Sequence, residues 1–193
     1  MRQIPTFRAG AAAFAAVLFA AAGTLATHAR ANDKTHGNGK YGNDGEILAQ
    51  LVAIDENEVH AAQLAEKKDV EGAVESYAKM IREDHGKNIN DTEKLADKLN
   101  IDLKKGDPVD SIHTQGEQML DRLDDVKGGE FARSFLTEMV NGHRDALDKL
   151  DDFIRMAQNP EVKQHLQATR ERVAFHLKEA ERLQASGSTG TRG

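Results

Sequence analysis

The chain has 193 residues, with 26 Lys+Arg against 32 Asp+Glu for a formal net charge of −6, and no cysteine. Such acidity argues against a binder of nucleic-acid backbones. Without cysteine there is neither a disulfide nor a lipid-modified cysteine, so stability has to come from packing.

Residues 1–31 read as a secretory signal peptide. Arg2 and Arg8 give the positive start, "AGAAAFAAVLFAAAG" the apolar centre, and Ala29-Arg30-Ala31 a small-residue cleavage site before Asn32. The apolar run is shorter than the ~18–20 residues of a membrane span, so no stable membrane insertion is expected after cleavage. Removing the signal takes away Arg2, Arg8 and Arg30 and no acid, leaving 23 basic residues against 32 acidic ones, a net charge of −9. A soluble periplasmic protein is the expectation. Residues 32–43 are polar and glycine-rich and read as a flexible leader.

From residue 44 to 185 the chain is almost continuously helix-forming, rich in Ala, Leu, Glu, Lys and Gln. A first helix is expected from Asp44 to Lys67, with a stripe at Ile47, Leu51, Ile54, Ala61 and Ala65. Asp69 reads as the N-cap of a second helix, from about Val70 to Leu99. Gly106-Asp107-Pro108 then breaks the pattern, and a shorter amphipathic segment carries Ile112, Met119 and Leu123 before Gly128-Gly129. That stretch suits a crossover travelling the length of a bundle. A third long helix is expected from Glu130 to Gln158. "QNPE" is a stop and restart, with Asn159 as cap and Pro160 at the first helical position. The fourth helix should run to Ala185, leaving 186–193 as a disordered tail. The sum is all-α: a four-helix bundle of two antiparallel hairpins, joined by a long crossover with a short helix.

Each long helix carries one ionisable residue on its apolar stripe. Glu58 interrupts the first, His85 the second, His143 the third and His176 the fourth. All four lie near or past the middle of their helices, so they fall at similar heights. A single buried histidine is ordinarily a satisfied core residue. Four such groups at one level would be costly apart and can satisfy one another, or a metal ion, together. Neutral imidazole and carboxylate suit zinc, iron, copper or nickel, and Glu58, His85, His143 and His176 are the expected ligands of one such ion. Glu83 and Asp84 point to other faces. His60, His113 and His165 are expected at the surface. No Ser-His-Asp arrangement, phosphate loop or basic-aromatic strip is present.

The segments "EVHAAQLAEKK", "YAKMIREDHGKN", "LADKLNI", "FARSFLTEMVNGH" and "HLKEAERL" resemble a family of exported bacterial proteins of unknown function, often labelled predicted outer-membrane proteins and grouped with ferritin-like four-helix bundles. The resemblance spans about residues 44–185, and Asp84-His85, the Phe131 segment with His143, and His176 are its most specific marks. It implies the ferritin-like bundle and an envelope setting, and no established activity. No alternating ten-residue strands exist from which to build a barrel. Di-iron members of the ferritin-like fold use Glu-x-x-His pairs, and this chain has none, which limits the cluster to a mononuclear, histidine-rich centre. Three readings stay open: a bundle with a binding or stress-protective role, a metal-dependent periplasmic redox enzyme, and a purely structural or protein-interaction bundle.

Overall fold

A computed structural model describes residues 44–189. The expected signal peptide and leader lie outside them. The described residues form five helices and no strand: α1 (Asp44–Lys67), α2 (Gly72–Leu99), α3 (Asp107–Asp124), α4 (Gly129–Met156) and α5 (Pro160–Thr189). None of these helices is long and apolar enough to cross a membrane.

Cross-helix pairs give the directions. Glu66 meets Arg82 and Asp55 meets Asn88, so α1 and α2 are antiparallel. Asp151–Arg170 and Arg144–Glu181 make α4 and α5 antiparallel. Thr92–His165 and Asn88–Thr169 do the same for α2 and α5. α3 runs parallel to α1, since Asn57 donates to the Ile112 carbonyl at one end and Lys68 pairs with Asp124 at the other. The crossover thus returns the chain along the length of α1, and α2 and α4 point the same way. It is a full helix of 18 residues, starting at the break itself, with Pro108 in its first turn where no N–H is needed.

Local chemistry sets the boundaries. α1 matches its expected span. Asp69 is not the N-cap of α2. Its φ of 52° closes α1 instead, with the Val70 N–H reaching back to the Ala65 carbonyl, and Glu71 takes the cap position. Asn159 does cap α5, its Oδ1 accepting from the Glu161 N–H at 2.8 Å. α5 runs on through 186–189, where a tail was expected. Asp44, fully buried, accepts from the Gln158 and Asn159 N–H groups and ties the start of α1 to the α4–α5 turn.

The interior falls into two main apolar clusters. One gathers Ala61, Ala65, Ile81, Phe131, Phe135, Met139 and Leu183. The other gathers Ile47, Leu51, Ala96, Leu150, Leu166 and Val173. Each long helix passes from one cluster to the other, and between them it carries a buried polar residue: Asp55 and Glu58 on α1, His85 on α2, His143 on α4, His176 on α5. A polar layer therefore separates two greasy ones.

Candidate metal centre

The three imidazoles of that layer form a triangle. Ring centroids are 5.7 Å apart for His85 and His143, 5.1 Å for His85 and His176, and 5.5 Å for His143 and His176. One ring nitrogen from each lies within 4.8 Å of the other two. The residues are 3%, 1% and 0% exposed, so solvent does not satisfy them from outside.

Each ring is held by its far nitrogen. His85 Nδ1–H donates to Asp55 Oδ1 at 2.7 Å, His143 Nδ1–H to the Met139 carbonyl at 2.7 Å, and His176 Nε2–H to Asp84 Oδ2 at 2.9 Å. All three partners are acceptors, so those nitrogens carry protons, and in a neutral ring the opposite nitrogen presents a lone pair. The opposite ones are His85 Nε2, His143 Nε2 and His176 Nδ1. They are buried and, like Glu58 Oε2, have no hydrogen-bond partner among the described residues. An unmatched buried polar atom costs roughly 1–3 kcal/mol, so three at one spot are not a packing accident. A ligating histidine whose second nitrogen donates to a carboxylate or carbonyl is the common outer support of a metal site.

A further network fixes the triangle. Asn88 donates to Asp55 Oδ2 at 2.7 Å and accepts from the Thr169 hydroxyl at 3.0 Å. Thr92 donates to the Asn88 carbonyl and bonds His165 Nε2 at 2.8 Å. Tyr77 reaches the His176 carbonyl at 3.3 Å, and burial, with Glu58 and Glu179 nearby, pushes its hydroxyl far up so that it stays protonated.

Burial pulls His85 down, but the hydrogen bond and charge of Asp55, with Glu58 and Asp84 behind, carry it above the usual histidine value. Burial lowers His143, helped by His85 and opposed by Glu58. Burial and then the other two histidines lower His176 to about 3, against the pull of Asp84. Two of the three rings are thus held neutral, the form in which imidazole binds metal.

Of the four residues expected from the stripes, the three histidines come together. Glu58 is buried beside them but stands outside the set of mutually close donor atoms. Its Oε1 lies where a side chain at Gly142 would sit, 3.1 Å from that imagined Cβ. Two carboxylates that hold imidazoles lay outside the stripe reading. Asp55 follows Leu51 by one turn and precedes Glu58 by three residues, so its place on the inner face was readable. Asp84 was expected to point elsewhere; it does leave the inner face, but toward α5, where it meets His176 and Arg172. His165 is half-buried and bonded to Thr92, not a surface residue. His113 lies 3.7 Å from Glu56, and His60 is exposed.

The model of a domain of unknown function, DUF4142, matches residues 24–183. The chain belongs to this family. No curated protein matches it. Two solved structures share the fold at 13% identity. One is a DUF305 fragment from Deinococcus radiodurans, with a TM-score of 0.66 over 75% of this chain and 96% of that one. The other is a DUF305 protein from Streptomyces coelicolor, described as secreted, with a TM-score of 0.64 over 74% of this chain and 92% of that one. For a DUF4142 chain these likenesses speak to the helical fold alone.

Proposed function

We propose that this DUF4142 protein is an exported, ferritin-like helical bundle that binds one transition-metal ion through His85 Nε2, His143 Nε2 and His176 Nδ1, with Asp55, the Met139 carbonyl and Asp84 as outer supports. The observation that carries the reading is the pairing of three unpartnered buried nitrogens with three anchored opposite ones. A metal–nitrogen bond of about 2.1 Å in tetrahedral geometry sets nitrogens about 3.4 Å apart, and one donor atom from each ring lies within 4.8 Å of the others, so the rings would draw together on the ion. Neutral nitrogen donors suit zinc or copper(II), with copper favoured by intrinsic affinity. One ion per chain makes the protein a binder or scavenger in the periplasm, not an iron store. The acidic balance, the secretory leader and the secreted DUF305 neighbour agree with that setting.

The test is a melting titration of protein purified without an affinity tag. Zinc or copper at ~100 times the dissociation constant should add about 2.7 kcal/mol, and a chelator should remove it. His85→Ala and His176→Ala should abolish the gain. Equal metal content in the wild type and both variants would refute the site.

A further inference from the structure

The reading above leaves a divalent ion with three neutral donors, so none of its charge is cancelled by its own ligands. A buried charge of that kind strongly favours an anion in contact with it. The carboxylates of Asp55 and Asp84 cannot serve, because each holds the far nitrogen of an imidazole and stands one ring away. Glu58 lies outside the donor set, against Gly142, and lines a different cleft, between α1, α3 and α4. Tetrahedral coordination therefore lacks its fourth member from the three-histidine set.

A cleft between α2 and α5 lies against two of the three histidines. It has a volume of about 210 Å³, and its lining includes His85 and His176 themselves, together with Asn88, Thr169 and Arg172. The size falls below the ~300–1,000 Å³ of pockets for drug-sized ligands. The side chains of Asn88 and Thr169 are tied to Asp55 and to each other, which gives the cleft a fixed polar wall. Arg172 at its side is over half exposed, 3.6 Å from Asp84, and adds positive charge near the mouth.

We propose that the metal centre keeps one coordination position open toward the α2–α5 cleft, and that a small monoanion of a few non-hydrogen atoms, or hydroxide in its absence, enters there and binds the ion. This rests on the three-histidine reading and adds to it a ligand class and an entrance. It makes the protein an acceptor of small anions at a metal, with water or hydroxide as the resting occupant.

The probe is azide, titrated into the full chain loaded with cobalt(II), with the cobalt content of each sample measured separately. One cobalt per chain and a saturable change in the cobalt absorption bands are expected. Ala168→Trp, at an exposed position on the cleft wall, should leave cobalt content unchanged and slow azide entry by about tenfold or more, a barrier increase of about 1.4 kcal/mol. One cobalt per chain with a spectrum indifferent to azide would overturn the open position. A response to azide only in Glu58→Gln would also overturn it, by placing Glu58 on the ion. Unchanged entry in Ala168→Trp would refute the route. Absence of bound cobalt would sink the three-histidine reading itself, a result distinct from the other three.

Discussion

Replacing Asp55 by Asn keeps the shape of the side chain and removes its charge. In the native protein its two oxygens accept two donors, His85 Nδ1–H and Asn88 Nδ2–H, each at 2.7 Å. Asparagine offers one oxygen and one NH2, so one of those donors must face another donor. If it is His85, the imidazole moves its proton to Nε2, the atom aimed at the ion, and metal binding is blocked until the proton leaves. If it is Asn88, the tie to Thr169 and the hold on residue 55 loosen. In either case the ring also loses the negative charge that strengthens it as a ligand. Loss of such an outer support typically costs 10–100-fold in metal affinity, which is about 1.4–2.7 kcal/mol. For a domain of this size that difference takes about 3–10 °C from the melting gain on adding zinc. The assay is competition for zinc against a chromophoric chelator, with the metal-free melting temperature of each variant as its own reference. Folded Asp55→Asn protein that binds zinc as tightly as the wild type would refute the role given to Asp55.

Metal-free protein should lose stability as pH falls below about 6.5, the ordinary histidine value. The lowered histidines, His143 and His176, stay neutral when folded and take protons when unfolded, and half-buried His165, also lowered by burial, adds to them. Their contribution is complete above 6.5 and lost through the folded values, for His176 down to about 3. The raised His85 works the other way, stabilising below 6.5 and fading as pH rises, so the net loss is partial; urea midpoints between pH 7.5 and 5 measure it, and a rising midpoint on acidification would contradict the assignment. Gly116→Ala drives a Cβ to 2.2 Å from the Asn57 side chain, which must leave its bond to the Ile112 carbonyl; a loss of about 1–3 kcal/mol is expected, and hydrogen exchange should show α3 loosening from α1 first. Asn159→Ala removes the cap on the Glu161 N–H and should cost about 1 kcal/mol in chemical denaturation, with metal affinity unchanged.

Features carried within one helix were legible in the sequence. The restart at Asn159-Pro160 depends on a local cap and on proline, and His85, His143 and His176 stand out because each breaks an apolar stripe of its own helix. Features that depend on a neighbour were not. Asp84 leaves the inner face of α2, and only the position of α5 turns it into the support of His176. Asp69 has the side chain of a cap, and the left-handed turn that it makes after α1 moves the cap position of α2 on to Glu71. The connection after Leu99 showed its apolar positions but not its full helical length, because α3 gains its order by docking on α1 through Asn57 and Lys68.

The most direct measurement is anomalous diffraction at the zinc edge from crystals of the metal-loaded protein. A single strong peak is expected about 2.0–2.1 Å from His85 Nε2, His143 Nε2 and His176 Nδ1, with further density on the side of the α2–α5 cleft. Zinc found only among surface carboxylates, with no peak between the three rings, would contradict the metal centre.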